Sequence, residues 1–447
     1  MGQAAIDTCM NFSIAGFAGN IFDSNVTDGD EVRAEIRLPS VLFLNRSYWP
    51  DVEATGQLLT ALCEGLTLDF EVGVLAGRPN AIVQDLAFSD WGNADERNGV
   101  HIHRVAHAKF PKQNLFGKAL NFLSFAHASH SALRTITAPD VVVFETDPFL
   151  NAFAASRLQK RTNCRMIGYL QDIYPDVAVA LGKVGNTWAV RRLRSALFDI
   201  YRRCDQMVVL SQDMADLLTD GGIAAERISI VPNWADTHSI APGHGISRFR
   251  EQHQLGEHFV AMYSGNLGLT QRLEEFVLAA ALLMDRPDIL FCFVGRGSQE
   301  NSLRQLVKAN GLTNVRFFDY QPQDELTHSL TAADLHLVPL TKDLSRCLMP
   351  SKLYGILAAG RPYLTNAPAG SELHTISTTH HVGLTVEPGS VPAIAARILW
   401  GADHRAELET MGLKARQLAE SKYTQQHSIT RFRTVLQQVL AQTEFRR

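Results

Sequence analysis

The stretch FVAMYSGNLGLTQRLEEF (residues 259–276) contains a short apolar run, then a turn with two glycines, then the start of a helical pattern. A strand that passes through a tight glycine turn into a helix is the first half of a βαβ unit. The same order of apolar run and helical stretch recurs between residues 40 and 388. Repetition of this unit predicts parallel sheets covered by helices on both faces.

The apolar runs fall into two sets. The first set begins at SVLFLN (40–45) and ends at ISIV (228–231), and the second begins at residue 259 and ends at VGLTVEP (382–388). Between them, VPNWADTHSIAPGHG (231–245) is rich in Pro, Gly, Asp and Asn, as is typical of a connector between compact units. The sequence therefore predicts two doubly wound, Rossmann-like α/β domains.

We place the first domain at residues 39–235 and the second at 236–424. An N-terminal extension (1–38) is expected to be disordered outside the fold, and a C-terminal helix (425–447) follows the second domain. The apolar residues of this helix share one face, at i, i+3 and i+4 spacing: Phe432, Val435, Leu436, Val439 and Leu440. We expect that face to pack back on the first domain.

Length and composition narrow the function classes. A chain of 447 residues exceeds one ordinary core, and 46% hydrophobic residues with a mean hydropathy near zero are typical of a globular protein. The net charge of -4 does not favour nucleic acid as a partner. Six dispersed cysteines without a CxxC pair, and an N-terminus without a secretion signal, predict a cytoplasmic protein with buried, reduced thiols.

Candidate ligand residues are sought directly after the strands, because doubly wound sheets bind ligands beyond the carboxyl ends of their strands. Glycines and capping residues at helix N-termini favour phosphate groups, and a lysine in the first turn of a helix suggests an anionic ligand. The residues chosen on these grounds are Gly56, Gln171, Asp172, Gly265, Gly268, Arg272, Gly295 in VGRGS, Tyr320 in DYQPQ, Ser351 and Lys352. For Lys352 a solvated surface lysine is the alternative, and for Gln171 and Asp172 it is a loop hydrogen bond.

No metal or cofactor is predicted. The pairs Asp28 with Asp30 and Glu145 with Asp147 resemble metal-binding carboxylates, but the first lies in the extension and the second has the alternative of solvation at a strand end. The sequence lacks GxSxG, HExxH, the GxxxxGK[ST] loop, and GxGxxG with its acidic residue. Hydrolase, metalloprotease, P-loop and dinucleotide functions therefore lose support.

These motifs, in their order, resemble the retaining glycosyltransferases of the large family 4, in particular the colanic-acid and O-antigen branch. The matching segments include LQDIYPD, IVPNWAD, YSGNLGLTQ and, after AADLHLVPL, the run PSKLYGILAAGRP (350–362). The resemblance covers about residues 40 to 440. It implies the GT-B fold, in which an N-terminal acceptor domain and a C-terminal nucleotide-sugar domain face a cleft.

The resemblance also assigns roles. It places Gly56 by the donor diphosphate, Gln171 where many relatives have a sugar-contacting His, and Glu372 at a later acidic position. Asn266 and Gln271 stand where the broad family usually has an Arg and a Lys on the diphosphate. Cys347 and Gly355 stand where that family has two acidic residues, of which the second binds the donor ribose. These departures imply that the donor is bound through different contacts.

The resulting hypothesis is transfer of a sugar, with retention and without a metal, from a UDP- or GDP-linked donor. Gln171 and Asp172 would contact the sugar. The residues that would hold the diphosphate are Gly265, Gly268, Arg272, Ser351 and Lys352. Enzymes of this kind are thought to need no protein base, because the leaving phosphate takes the acceptor's proton. The alternatives are a nucleotide-sugar epimerase of the same fold and a non-catalytic nucleotide-sugar-binding protein.

The acceptor is expected to be a glycan, and a lipid-linked one in cell-surface polysaccharide synthesis. Residues 103–134 mix lysines with phenylalanines, and residues 191–203 carry five arginines among apolar residues. Such segments suit peripheral contact with the inner face of a membrane. Two ordinary amphipathic helices of the first domain are the alternative.

Overall fold

In the computed structural model, the described residues are 37–51, 53–79, 94–108, 110, 115–243, 247–268 and 271–442. The chain divides into two compact units, Met1–Ile167 and Gly168–Arg447. The predicted domain boundaries, 39–235 and 236–424, stay a prediction. Residues 1–36 of the N-terminal extension, Thr270 and Lys109 lie outside the described residues, as do Lys112 and the first carboxylate pair.

The first sheet has eight strands in the order β3-β4-β2-β1-β5-β6-β7-β8. The strands are β1 Ser40–Leu44, β2 Glu71–Gly77, β3 Ala94–Arg97, β4 Val100–Val105, β5 Val141–Glu145, β6 Arg165–Tyr169, β7 Gln206–Val209 and β8 Ile228–Ile230. Both β1 and β5 are buried along their whole length. Strands covered on both faces read as continuous apolar runs, and this explains why the sequence locates them well.

Helices connect these strands. They are α1 Ala54–Leu66, α2 Leu115–Ala132, α3 Asn151–Thr162, α4 Asp176–Ala180, α5 Trp188–Tyr201 and α6 Gln212–Asp220. Hydroxyl side chains begin two of them: Thr187 accepts a hydrogen bond from the Val190 N–H of α5, and Ser211 accepts one from the Met214 N–H of α6. These bonds satisfy backbone donors that a helix N-terminus leaves free.

The second sheet has six strands in the order β11-β10-β9-β12-β13-β14. They are β9 Phe259–Ser264, β10 Ile289–Val294, β11 Val315–Phe318, β12 Leu335–Leu337, β13 Tyr363–Thr365 and β14 Gly383–Thr385. The five pairings between these strands are all parallel. If these strands are numbered 1 to 6 along the chain, their order in the sheet is 3-2-1-4-5-6, the doubly wound order. The direction of winding reverses between β9 and β12.

Ten helices belong to this half of the described chain: α7 Arg248–Gln252, α8 Glu274–Leu282, α9 Glu300–Ala309, α10 Leu326–Thr331, α11 Lys342–Ser345, α12 Lys352–Ala358, α13 Glu372–His380, α14 Val391–Asp403, α15 Arg405–Lys422 and α16 Gln425–Ala441. Phe259, Phe276, Phe291 and Leu335 lie in the main core of this half. Among the described residues, no helix is both long and apolar enough to cross a membrane.

The C-terminal helix α16 uses the predicted stripe, although Leu440 is only half-buried. Its Phe432 ring packs on the Tyr169 ring with centroids 5.1 Å apart. The Ser428 hydroxyl donates to the Pro232 carbonyl at 2.8 Å. Within the second unit, the helix therefore packs on the end of β6 and on the VPNWAD segment.

Strand β3 is the strand that the sequence analysis missed. It pairs antiparallel with β4, and Arg97 lies opposite Val100. The two residues of the hairpin loop, Asn98 and Gly99, both have positive φ, at 48° and 79°. An Asn-Gly pair is the strongest short signal for such a turn. The signal was present, but the polar sequence ADER before it did not look like a strand.

Five of the six cysteines are described, and all five are free and buried: Cys63, Cys164, Cys204, Cys292 and Cys347. Burial raises the pKa of the Cys292 and Cys347 thiols to about 12. A thiol with a raised pKa is poorly reactive. The prediction of buried, reduced thiols is thus confirmed for these five residues.

Candidate functional site

The second sheet reverses its winding between β9 and β12, and ligands of doubly wound sheets bind at such a point. Gly265 and Gly268 follow β9 directly, and Gly295 and Gly297 follow β10. Helix α12, which begins at Lys352, follows β12 in the chain. The fold therefore brings residues from three predicted motifs to one edge of the sheet.

The loops after β9 and β10 are packed backbone against backbone. Gly265 and Gly295 have φ of 135° and 136°, a region that glycine adopts readily. A Cβ on Gly295 would lie 2.1 Å from the Gly265 carbonyl oxygen, and one on Gly297 would lie 2.3 Å from that of Leu267. The Leu267 N–H donates to the Arg296 carbonyl at 2.9 Å. Gly295 and Gly297 thus fix the shape of the loop that carries Gly265.

Lys352 points at that loop. Its Nζ is buried and has no hydrogen-bond partner. It lies 3.4 Å from the centroid of the Tyr263 ring and 3.1 Å from the point where a Cβ on Gly265 would be. Burial holds the pKa of Lys352 well below its usual value. An ammonium group without an acceptor is costly to bury, and an anion beside Gly265 would remove that cost.

The side chain of Gln271 borders the same loop. Its Oε1 is buried without a hydrogen-bond partner and lies 3.1 Å from the Cβ position of Gly268. The Asn266 side chain is exposed, with its Nδ2 2.7 Å from that Cβ position. Lys352, from α12, supplies a cation that faces Gly265.

Arg272 is placed differently. Its side chain is half exposed, and its Nε lies 3.1 Å from Glu275 and 3.8 Å from Glu274. Glu275 is buried, and its other oxygen accepts a hydrogen bond from Asn366 at 3.0 Å. The guanidinium of Arg272 is thus paired with carboxylates in the first turn of α8, the helix that follows it. A role on the diphosphate stays a prediction for this residue.

Gln171 and Asp172 lie near the chain that leads into α12. The Asn233 side-chain amide donates to the Gln171 side-chain oxygen Oε1 at 2.9 Å. Asp172 forms an antiparallel bridge with Leu348, and the Ile173 N–H donates to the Cys347 carbonyl at 2.9 Å. The LQDIYPD segment is thus joined to residues four to five positions before Lys352.

Glu372 and Asp213 bond reciprocally at two helix starts. The Glu372 N–H of α13 donates to the Asp213 carboxylate at 2.8 Å, and the Gln212 N–H of α6 donates to the Glu372 carboxylate at 3.3 Å. Burial raises the pKa of both carboxyl groups. Glu372 thus caps a helix here, and its predicted contact with a donor stays a prediction.

The remaining candidates have simpler surroundings. Ser351 is exposed and does not cap α12 through its side chain. The Tyr320 hydroxyl donates to the Arg296 carbonyl at 3.3 Å. In the first unit, Gly56 is the third residue of α1 and packs on Ser47 and Asp51. Its role at a diphosphate stays a prediction.

The second candidate metal pair is already engaged through Asp147. Its carboxylate accepts hydrogen bonds from Arg46 at 2.9 Å and from the Ser47 hydroxyl at 2.9 Å. Among the described residues, no group of three or more His, Cys, Asp or Glu side chains could share a metal ion.

The sequence analysis did not single out two residues that shape the site. Tyr263 supplies the ring beneath Lys352, and its hydroxyl donates to the Asn266 carbonyl at 2.8 Å. Asn233, within the IVPNWAD segment, donates a hydrogen bond to the Gln171 side chain. An aromatic residue two positions before a strand-end glycine was the available signal for Tyr263.

The chain matches two family models over most of its length. Residues 56–239 match the model described as Glycosyltransferase Family 4, and residues 246–418 match the one described as Glycosyl transferases group 1. The chain thus carries both of these domains and is a glycosyltransferase.

The relatives agree with this class. The protein WcaI of Escherichia coli K12, named for glycosyl transfer in colanic acid biosynthesis, is 28% identical over 376 residues, which cover 80% of this chain and 91% of WcaI. Sucrose-phosphate synthase of Thermosynechococcus elongatus superposes with a TM-score of 0.71 at 18% identity, over 91% of this chain and all of that one. HepE of Anabaena, solved with UDP-glucose, superposes with a TM-score of 0.67 at 15% identity, over 89% of this chain and 99% of HepE. The predicted GT-B glycosyltransferase fold is confirmed.

Proposed function

We propose that this glycosyltransferase takes its sugar from a nucleoside diphosphate sugar, and that Lys352 binds the diphosphate at the loop after β9. The supporting observation is the buried Nζ of Lys352, which has no hydrogen-bond acceptor and lies against Gly265. HepE, of the same fold, was solved with UDP-glucose. The diphosphate of a UDP- or GDP-linked sugar would supply the anionic hydrogen-bond acceptor that Lys352 lacks.

The proposed reaction proceeds with retention and without a metal. The bond between the sugar C1 and the diphosphate oxygen breaks, and a bond forms between C1 and an acceptor hydroxyl oxygen. The proton of that hydroxyl passes to the departing diphosphate. Lys352 would stabilise the charge that grows on the diphosphate, which is where a fixed cation in a dry site is most effective. Gln171 and Asp172 are the proposed sugar contacts.

The proposed acceptor is a lipid-linked glycan in the synthesis of a cell-surface polysaccharide, at the inner face of a membrane. WcaI, named for colanic acid biosynthesis, supports this assignment. In α5, Leu197, Phe198, Ile200 and Tyr201 are buried, as the ordinary-helix alternative requires. The exposed Trp188 and Arg192 at its start are the residues we assign to the membrane surface.

The test is a thermal-shift panel of UDP-, GDP- and dTDP-sugars, followed by a transfer assay with the nucleotide sugar that stabilises the protein most. A ligand that binds the folded state raises the melting temperature by mass action. We expect one nucleotide class to stand out and its diphosphate to be released during transfer. Isomerisation of the sugar at unchanged mass would show an epimerase instead, and binding without turnover would show a sensor.

A further inference from the structure

The amino group of Lys352 is enclosed by groups that offer it no hydrogen bond. The residue as a whole is partly exposed, but its Nζ is shielded from solvent and has no hydrogen-bond acceptor among the described residues. The Tyr263 ring lies on one side, with its centroid 3.4 Å from Nζ, and the loop at Gly265 lies on another. An ammonium group has three N–H donors. All three would be unsatisfied here.

Such a position disfavours the charged form of the lysine. A buried group that lacks a partner gives up its charge rather than carry the full cost of leaving water. The face of the Tyr263 ring attracts a cation, but this attraction is modest. Burial accordingly holds the pKa of Lys352 well below its usual value.

The titratable side chains that face Lys352 keep their charge states near neutral pH. On β9, burial raises the pKa of Tyr263 far above its usual value, so the hydroxyl stays protonated. On β12, burial lowers the pKa of His336 to about 4, so the imidazole stays neutral. Arg361, the other cation that acts on His336, donates to the Thr331 carbonyl at 2.6 Å and stays charged. A proton taken up in this group of residues would therefore go to Lys352.

We propose that Lys352 is uncharged before the donor binds and takes up one proton as the donor diphosphate arrives. The inference rests on the proposed function, which puts the diphosphate beside Gly265. A proton passes from the solvent to the lone pair of Nζ, and the ammonium that forms donates hydrogen bonds to the diphosphate oxygens. When the nucleoside diphosphate leaves, that proton returns to the solvent, so the cycle consumes none at Lys352. The cation that binds the donor is thus formed together with the complex.

This coupling makes donor affinity depend on pH. Below the pKa of Lys352 in the free enzyme, the proton is already in place and affinity is independent of pH. Above that pKa, and below the higher pKa that Lys352 acquires beside the diphosphate, each binding event takes a proton from the solvent. The dissociation constant of the donor then rises as pH rises, by at most about tenfold per pH unit for one proton.

The experiment is calorimetry of the full-length protein with UDP-glucose, GDP-mannose and dTDP-glucose as probes, between pH 7 and 8.5. Each titration is run in two buffers of different ionisation enthalpy, and the difference in heat gives the number of protons taken up. Both phosphates of a nucleotide sugar are esterified, so they lack the group that titrates near pH 6 in a phosphate monoester. For a probe that binds, we expect about one proton per bound molecule at the upper end of this range.

Two variants assign that proton. Lys352→Met should bind the probe without proton uptake, and with a dissociation constant that changes less than twofold across the range. Lys342→Met is the matched control, since it removes an exposed lysine ten positions earlier in the chain. It should keep the proton uptake and the pH dependence of the wild type. Loss of either in Lys342→Met would overturn the assignment to Lys352.

Kinetics give a second measurement of the same coupling. The pH dependence of kcat/KM reports ionisations of the free enzyme, and that of kcat reports ionisations of the bound complex. We therefore expect kcat/KM for the donor to fall as pH rises while kcat changes less than twofold. A lysine with a purely structural role would not separate the two profiles.

The inference and the proposed function fail in different ways. A nucleotide sugar that binds without proton uptake, or with an uptake that survives in Lys352→Met, would overturn the proton coupling and leave the donor function standing. A protein that binds none of the three nucleotide sugars would overturn the proposed donor, and the proton coupling with it.

Discussion

The Nζ of Lys352 lies 3.4 Å from the centroid of the Tyr263 ring, and the hydroxyl of that ring donates to the Asn266 carbonyl at 2.8 Å. One aromatic side chain thus supports both the lysine and the loop that the lysine faces. A cation over an aromatic face is stabilised by the ring quadrupole, but only modestly. This contact holds the ammonium in place without satisfying its hydrogen bonds.

Lys352→Met should weaken donor binding and slow transfer together, because the same cation would touch the diphosphate before and during its departure. A charge-assisted hydrogen bond contributes about 1.5–3 kcal/mol, so we expect kcat/KM to fall about 10- to 100-fold. Steady-state kinetics at sub-saturating donor give the value. The control is Arg272→Ala, since Arg272 is paired with Glu275 and half exposed, and its loss should cost much less. Full transfer activity in Lys352→Met would mean that other residues bind the donor diphosphate.

The stability of the same variant should depend on pH. Burial holds the folded pKa of Lys352 well below 10.5, so between that pKa and 10.5 the unfolded state binds one proton more. The free energy of unfolding of the wild type therefore rises with pH in this window, by at most about 1.4 kcal/mol per pH unit. Lys352→Met lacks this penalty and should be more stable than wild type at pH 7, by a margin that shrinks toward pH 10.

The titratable groups that face Lys352 do not contribute to this pH dependence. Burial lowers the pKa of His336 to about 4, and it raises the pKa of Tyr263 far above its usual value. Neither group therefore changes charge between pH 7 and 10. Urea unfolding of both proteins across this range checks the expectation, and a margin independent of pH would contradict it.

Gly295→Ala should destabilise the protein by more than about 2 kcal/mol, since a strained φ and a blocked position both add to the cost. Its Cβ would lie 2.1 Å from the Gly265 carbonyl oxygen. The control is Gly389→Ala: Gly389 also has positive φ, 83°, but nothing lies within 4 Å of its Cβ position. That change should cost about 1 kcal/mol. Denaturant unfolding measures both, and equal losses would show that the backbone contact is unimportant.

The sequence was sufficient to locate the two sets of strands except β3, because buried parallel strands form unbroken apolar runs. It also placed Lys352 correctly at a helix start. It could not show that Arg272 turns back onto Glu275 or that Glu372 bonds with Gln212 and Asp213, since a charge in a motif does not reveal its nearest partner. Contacts between residues 159 or 160 positions apart depend on packing, which a local pattern does not encode.

Transfer should survive EDTA. The Asp147 carboxylate is held by Arg46 and Ser47, and a metal would have to displace the arginine to use it. The proposed cation for the diphosphate is Lys352 instead. An assay of diphosphate release with and without EDTA should give rates within about twofold of each other. Complete loss with EDTA, followed by rescue with Mg²⁺ or Mn²⁺, would restore Glu145 and Asp147 as candidate ligands.

Sedimentation with anionic vesicles tests the membrane contact. Lys183, Trp188 and Arg192 are exposed in a stretch without carboxylates, so we expect binding to phosphatidylserine-containing vesicles at low salt. The bound fraction should fall as salt rises, because the Debye length shortens from about 30 Å at 0.01 M to about 10 Å at 0.1 M. Trp188→Ala should weaken binding while leaving stability within about 0.5 kcal/mol, since this side chain is 71% exposed. A wild-type protein that stays in the supernatant at low salt would remove the membrane contact, whereas the assignment of Lys352 to the donor diphosphate would be unaffected.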